Sequence, residues 1–172
     1  YFGIKKMEGD RLDCNNIIND VPICPVCGEK IKFKYYRYSN IGKIYCDACG
    51  YTSPDYDYYL DEVDFKKNEM LFVARGESQR VAILNDSVFN LYNQLSAMTL
   101  LHELGYSLPE IAKCLKNMAF AKSRYNVQEA GNIKVITMLS KCLNGYATSR
   151  VMEYIAKQKK QKQILFMVNS ID

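Results

Sequence analysis

Four cysteines stand in two matched pairs, and their spacing indicates a metal site. The pairs are Cys24-x-x-Cys27 and Cys46-x-x-Cys49, separated by 18 residues, and a glycine follows each pair. A Cys-x-x-Cys pair places two thiolates on one turn, and the glycine allows the left-handed backbone that directs amides toward sulfur. Two such turns joined by a hairpin provide the four sulfur ligands of a structural Zn²⁺ site. The sequence therefore predicts a zinc ribbon over residues 23–54.

The alternatives to zinc are disulfide bonds or a redox-active pair. A thioredoxin-like motif needs only one Cys-x-x-Cys pair with a helix directly after it, whereas residues 31–35 have a strand pattern. A shell of four protein sulfurs leaves no position for water, so the predicted metal has a structural role. Three further cysteines, Cys14, Cys114 and Cys142, show no pairing pattern, which favours a reducing, cytoplasmic location.

The composition is that of a folded globular protein. Of the 172 residues, 48% are hydrophobic and 24% are charged, and the formal net charge of +4 does not by itself indicate a polyanion partner. No apolar run reaches the ~20 residues that span a bilayer, and no secretory signal is present, so we do not expect a transmembrane protein. The chain begins without Met inside a strand pattern and ends in another, so we expect a piece of a longer protein.

A mixed α/β order of elements surrounds the cysteines. The predicted strands are 1–4, 30–38, 43–45, 69–74, 79–84 and 164–168, with a hairpin or strand pair over 124–139. The predicted helices run from Asp86 or Ser87 to Gly105, over 107–117 after the capping box Ser107-x-x-Glu110, and over 148–159. The acidic segment after Pro54 is interpreted as the exit from the ribbon, and the last helix and strand predict a parallel crossover.

The first of these helices is expected to bury a wide apolar face. Its predicted members are Phe89, Tyr92, Leu95, Met98, Leu101 and Leu104.

A motif at the start of this helix resembles a known superfamily. Asn90-x-x-Asn93, followed four residues later by alanine, is similar to a helix start in the Mur ligase superfamily, whose members use ATP to join amino acids to peptidoglycan precursors. A four-cysteine ribbon soon after the strand Tyr-Phe-Gly-Ile at 1–4 resembles the MurT-type subunits of lipid II isoglutaminyl synthase. The hairpin run 38–46 and the exit at 55–57 are also similar to that family.

The resemblance implies a domain organisation. Residues 1–22 and 55–119 would belong to a Mur-ligase-like central α/β domain, with the zinc ribbon of 23–54 inserted into it. Residues 120–172 would begin a Rossmann-like C-terminal α/β domain.

The resemblance also implies an activity: ATP-dependent amidation of the D-glutamate of lipid II to D-isoglutamine, with Mg²⁺ and with ammonia from a GatD-type glutaminase partner. Asn93, Asn90 and Arg124 would contact the nucleotide, and no catalytic residue is assigned. No Gly-x-x-x-x-Gly-Lys-Ser/Thr phosphate loop occurs in the 172 residues, so we expect this segment alone to be inactive.

Departures from the family pattern leave alternatives open. The family's Gly-Arg-x-Glu has become Ser123-Arg124-Tyr125-Asn126, and its Lys-Asn-Pro has become Lys141 followed by Cys and Leu. Arg124 could equally be a surface residue in a linker, and the two asparagines could simply stabilise the helix start.

A second class of function is nucleic-acid binding by the ribbon hairpin, because basic and aromatic residues alternate there. The basic residues are Lys30, Lys32, Lys34, Arg37 and Lys43, and the aromatic residues are Phe33, Tyr35, Tyr36 and Tyr38. A two-stranded hairpin with aromatics toward its core and lysines toward water has the same pattern, and the acidic segment 55–64 would repel phosphate. We therefore favour no nucleic-acid partner. A third hypothesis is that the ribbon has a purely structural role and docks a partner subunit, which is compatible with the ligase prediction.

Overall fold

The computed structural model describes residues 1–13, 21–38, 41–85, 87–118, 125–138, 148, 151–152, 155–156 and 161–167. The chain divides into two compact units, Tyr1–Phe120 and Ala121–Asp172. In the part that is described, no helix combines the length and the apolar character that a membrane span requires.

The first unit contains six strands and two helices. These are β1 (Phe2–Ile4), β2 (Lys32–Tyr38), β3 (Ile41–Tyr45), β4 (Tyr58–Asp64), β5 (Glu69–Ala74), β6 (Glu77–Ala82), α1 (Val88–Glu103) and α2 (Leu108–Lys116). Four strands form one sheet in the order β1-β4-β5-β6, in which β1 pairs parallel to β4 and the other pairs are antiparallel. The ribbon hairpin β2–β3 is a separate antiparallel pair inserted between β1 and β4.

The core of this unit lies between the sheet and the two helices. Leu60, Met70 and Phe72 of the sheet are fully buried and pack with Leu95 of α1 and Ile111 of α2. Helix α2 begins as predicted, since Glu110 accepts hydrogen bonds from the Ser107 backbone N–H at 2.9 Å and from its hydroxyl at 2.6 Å.

The apolar face predicted for α1 is partly wrong. Phe89 and Leu104 are exposed, whereas Leu91 and Gln94 are buried together with the predicted Leu95 and Met98. The predicted positions recur every three residues. Three residues of an α-helix rotate about 300°, which is less than a full turn, so a row with this spacing winds around the helix and does not stay on one face. The buried positions 91, 94, 95 and 98 follow the i, i+3, i+4, i+7 spacing that keeps one face toward the sheet.

Strand β4 was not predicted, because its segment was interpreted only as the acidic exit from the ribbon. Tyr58 and Leu60 are buried at alternate positions, but a register shift between Leu60 and Glu62 breaks the alternation before Val63. Such a bulge removes the regular period by which a strand is recognised in sequence. Gly3 of the neighbouring β1 leaves room for Tyr56, because a Cβ there would lie 2.5 Å from the ring and force it to move.

Two predicted turns are shorter than expected. The β5–β6 connection is the two-residue turn Arg75-Gly76, with φ values of 48° and 95°, so β6 begins at Glu77 rather than at residue 79. Positive φ at both central residues is the geometry that matches the twist of paired strands. In the ribbon, β3 begins at Ile41 rather than at Lys43, which places Gly42 opposite Tyr36.

The second unit contains the predicted hairpin. Strands β7 (Tyr125–Ala130) and β8 (Ile133–Met138) pair antiparallel around Gly131, whose φ is 59°. The described residues of the predicted helix 148–159 are helical.

The buried strand predicted over 164–168 is wrong for its described residues: 161–167 lie in no helix or strand, and Leu165 and Met167 are more than 80% exposed. A strand needs a hydrogen-bonding neighbour, and among the described residues of this unit the only strand pairing is β7 with β8. The Rossmann-like start is therefore not confirmed.

Candidate metal centre

The two strands of the ribbon hairpin bring the four predicted ligands together. The first cysteine pair precedes β2 and the second follows β3, and the four Sγ atoms lie within 4.8 Å of one another. The Sγ–Sγ distance is 3.6 Å between Cys24 and Cys49 and also 3.6 Å between Cys27 and Cys46. A tetrahedron with Zn–S bonds of about 2.3 Å places its sulfurs about 3.8 Å apart, so the cluster fits Zn²⁺.

The two cysteine turns have the same backbone geometry. The Gly28 N–H donates to the Cys24 carbonyl at 3.0 Å, and the Gly50 N–H donates to the Cys46 carbonyl at 3.0 Å. Both glycines have positive φ, 76° and 75°, which a side chain would strain. The repeated glycine in the sequence therefore corresponds to a repeated left-handed position in the structure.

The cluster has almost no hydrophobic core beyond its own sulfurs. Cys24, Cys46 and Ile31 are its buried members. The residues packed partly buried against them are Val21, Phe33, Ile44 and Tyr51. So small a core is not expected to hold a hairpin by itself, and a metal ion bound by the four cysteines would supply free energy of folding.

Ionisation of the thiols also favours a bound cation. Burial opposes the Cys24 thiolate, but the backbone N–H groups of Cys27 and Val26 favour it, and the pKa of Cys24 is lowered to about 7. At Cys27 the backbone N–H of Glu29 favours the thiolate, whereas burial and the three other cysteine sulfurs raise the pKa to about 12. The Cys24 thiolate forms readily and Cys27 beside it resists ionisation, a repulsion that a divalent cation would relieve.

Arg37, near the end of β2, attaches the ribbon to the rest of the unit. Its Nε and Nη2 donate to the two carboxylate oxygens of Asp10 at 2.8 and 2.7 Å. Nη1 donates to the Ile4 carbonyl at 2.6 Å and to the Tyr92 hydroxyl at 2.9 Å, and Nη2 also donates to the Lys5 carbonyl at 2.7 Å. These contacts occupy all five N–H donors of the guanidinium group.

This attachment is buried and is reinforced by backbone pairing. The side chains of Arg37 and Asp10 are 2% and 1% exposed. The Arg11 N–H donates to the Tyr36 carbonyl at 2.8 Å, and the Tyr36 N–H donates to the Arg11 carbonyl at 2.6 Å. A buried ion pair of this quality fixes the position of the hairpin relative to β1 and α1.

Arg37 is buried and therefore does not belong to the basic surface that the nucleic-acid alternative required. Ile31, Tyr35 and Arg37 are buried and Phe33 is partly buried, so this row of every second residue is turned toward the protein even though register shifts interrupt the hairpin pairing. The period of two was the signal that places Arg37 with the aromatics, but Asp10 is too distant in sequence to be recognised as its partner.

Two of the lysines on that hairpin form ion pairs. Lys32 lies 2.5 Å from Asp47, and Lys43 lies 3.9 Å from Asp55. With Arg37 buried as well, three of the five basic residues of this alternative are paired or internal among the residues that the structure describes.

Two of the three predicted nucleotide contacts, Asn90 and Asn93, lie on the first turns of α1. The Asn90 Nδ2 group donates to the side-chain oxygens of Asn85 at 2.8 Å and Ser87 at 2.7 Å, so this amide stabilises the helix start. Asn93 is exposed, and its described hydrogen bond is a long one of 3.4 Å to Asn90 Oδ1. Arg124 lies outside the described residues. The amide of Asn93 is therefore available for a ligand, whereas that of Asn90 is already engaged.

Comparison with known proteins shows which proteins this chain is similar to. The chain is 33% identical over 106 residues to the MurT subunit of lipid II isoglutaminyl synthase (glutamine-hydrolyzing) from Streptococcus pneumoniae, covering 61% of this chain and 23% of that protein. It is 33% identical over 105 residues to the Staphylococcus aureus MurT, with the same coverage of 61% and 23%. The resemblance to MurT is confirmed.

The fold comparison agrees with the similarity to MurT. A pseudomurein peptide ligase type C from Methanothermus fervidus matches 81% of this chain and 27% of its own, with a TM-score of 0.66 at 19% identity, which shows a Mur-ligase-like α/β fold. No protein-family model matches the chain. The chain spans about a quarter of the length of the MurT proteins that it matches.

A second polar cluster of the MurT-like chain lies at the opposite end of α1. The Tyr58 hydroxyl donates to Glu103, contacts His102 Nδ1 at 3.2 Å, and accepts from Arg75 Nε at 2.9 Å. Arg75 Nη2 also donates to Glu103 at 2.6 Å. Contacts with Tyr58 and then Arg75 lower the pKa of Glu103, and the cluster ties the end of α1 to β4 and the β5–β6 turn. His102, the single histidine of the sequence, takes part in this packing.

Proposed function

We propose that this chain is a segment of the ATP-dependent amidating subunit of a lipid II isoglutaminyl synthase. The observation that carries the proposal is the four-cysteine ribbon inserted between β1 and β4 of a Mur-ligase-like sheet, together with 33% identity to two MurT subunits. The names of those relatives describe a lipid II isoglutaminyl synthase that is glutamine-hydrolyzing.

The reaction proposed for the whole protein replaces an oxygen of the D-glutamate α-carboxylate with nitrogen. When bound, ATP with Mg²⁺ supplies a phosphoryl group that activates the carboxylate, and ammonia then displaces the phosphate to form the amide. The ammonia comes from a GatD-type glutaminase partner, and the protein acts in the cytoplasm. We assign no reacting group to this chain, which lacks a phosphate loop in its sequence.

The chain's own residues bind and position. The four cysteines hold Zn²⁺ and thereby order the ribbon, while Asn93 presents an exposed amide at the start of α1 for a hydrogen bond to the nucleotide. Asn90 supports that position through Asn85 and Ser87, and Arg124 is the third proposed nucleotide contact.

The experiment uses the gene product that contains this chain, purified with its glutaminase partner. Lipid II, Mg·ATP and glutamine are supplied, and conversion of the carboxylate to the amide is followed by mass spectrometry. We expect an amide product that requires ATP and forms with either glutamine or ammonium salt. A folded, zinc-loaded protein that gives no amide with either nitrogen source would contradict the proposal.

A further inference from the structure

The metal centre and the start of α1 are connected through one strand. Ile31, directly before β2, packs against Cys24 and Cys46 in the metal cluster. Arg37 lies six residues further along the same hairpin, a span of about 20 Å in an extended strand. The two ends of β2 are therefore the metal site and the buried guanidinium group.

On the far side of Arg37 the connection continues into α1. Nη1 donates to the Tyr92 hydroxyl at 2.9 Å, and Tyr92 directly precedes Asn93. Burial raises the pKa of Tyr92, so its hydroxyl is neutral and accepts from the guanidinium group. A shift of Arg37 would leave this hydroxyl, the Asp10 carboxylate and the Ile4 carbonyl without their common donor.

The other end of α1 is held independently of the ribbon. Glu103 is bound by Tyr58 of β4 and by Arg75 of the β5–β6 turn, neither of which belongs to the hairpin. A change in the ribbon should therefore act on the first half of α1 and spare the second half and α2.

We propose that Arg37 and Tyr92 are positioning residues that couple the metal centre to the first half of α1, so that zinc in the ribbon sets the placement of Asn93. Without zinc the cysteine end of the hairpin loses its order, the hydrogen bonds that Arg37 makes at the other end of β2 weaken, and the first turns of α1 are held less firmly at Tyr92. The effect on nucleotide affinity rests on the proposed function, whereas the coupling between metal and helix does not.

Hydrogen exchange of the zinc-loaded and zinc-stripped chain tests the coupling. After zinc removal by a zinc-selective chelator we expect exchange to accelerate at least about fivefold in residues 88–95, while α2 is unchanged. Tyr92→Phe keeps the ring and removes only the hydroxyl. In this variant, residues 88–95 should exchange faster than in the wild type even when zinc is bound, and removal of zinc should change their exchange little. Tyr106→Phe, an exposed tyrosine after α1, is the matched control and should behave as the wild type.

Acceleration confined to the ribbon residues, or a Tyr92→Phe variant that responds to zinc as the wild type does, would overturn the coupling.

The nucleotide part is tested in the gene product that contains this chain. Zinc removal and Tyr92→Phe should each raise the KM for ATP by about fivefold with a smaller change in kcat, and their effects should not add. Coupled exchange with an unchanged KM would overturn the nucleotide part and count against Asn93 as an ATP contact, while the metal-to-helix coupling stands.

Discussion

Arg37 and Asp10 form a two-point ion pair beneath the ribbon, with Nε and Nη2 donating to separate carboxylate oxygens at 2.8 and 2.7 Å. The two residues are 27 positions apart, so this pair closes the loop that contains the first cysteine turn. It is also the point at which the insertion meets the sheet and α1.

The first prediction concerns this pair. Asp10→Asn keeps the shape of the side chain but leaves the buried guanidinium without a counter-charge, so we expect a loss of about 3–5 kcal/mol in the free energy of unfolding. Urea denaturation measures it. Asp61→Asn is the matched control because it breaks the exposed pair with Lys5 and should change stability much less. Equal effects of the two variants would show that the Asp10 pair is not buried in solution.

The second prediction concerns the ribbon. Cys46→Ser removes one of the four predicted sulfur ligands, and we expect the zinc to be released and the ribbon residues 23–54 to lose protection from hydrogen exchange. Cys114→Ser changes an exposed cysteine of α2 outside the cluster and should retain metal and protection. A Cys46→Ser protein that keeps its zinc and its thermal stability would contradict the assignment of Cys46 as a ligand.

The third prediction concerns pH. The Tyr58 hydroxyl and Arg75 lower the pKa of Glu103, so its carboxylate stabilises the folded state above the ordinary glutamate pKa of about 4.3. That contribution is lost as the pH falls through the lowered pKa. The difference in unfolding free energy between wild type and Glu103→Gln should therefore shrink from pH 7 toward pH 3 in urea titrations. Glu77→Gln, an exposed glutamate at the start of β6, controls for the loss of one carboxylate, and the same pH profile in both variants would contradict the prediction.

The fourth prediction separates the two asparagines of α1. Asn93→Ala should raise the KM for ATP of the gene product that contains this chain without changing its stability, because Asn93 is exposed and weakly engaged. Asn90→Ala should instead lower stability by about 1 kcal/mol, because its amide bonds Asn85 and Ser87 at the helix start. Unaltered kinetics in Asn93→Ala would make Asn93 a structural residue.

Local patterns predicted the parts of this molecule that are set by nearby residues. The cysteine turns, the capping box at Ser107 and the β7–β8 hairpin each depend on a few neighbours, and the structure confirms them. Strand β4 was missed because a bulge after Leu60 interrupts its alternation. Pairing between residues far apart in the sequence leaves no comparable pattern in the residues near either partner.

Arg37 is the clearest case of this limit. Its partners Asp10 and Tyr92 are 27 and 55 positions away, so only the folded chain shows that this cation is internal. The strand predicted over 164–168 failed for a related reason. Apolar composition alone does not supply the neighbouring strand that backbone hydrogen bonds require.

The most direct test of the account is the metal content and ligand set of the purified chain. We expect elemental analysis to find one zinc per chain and X-ray absorption to show four sulfur ligands at about 2.3 Å. If the chain is purified without added zinc and is only partly loaded, titration with zinc should fill the same four-sulfur site. A folded chain that binds no zinc, or zinc bound through nitrogen and oxygen ligands, would contradict the four-cysteine ribbon on which the rest of the account depends.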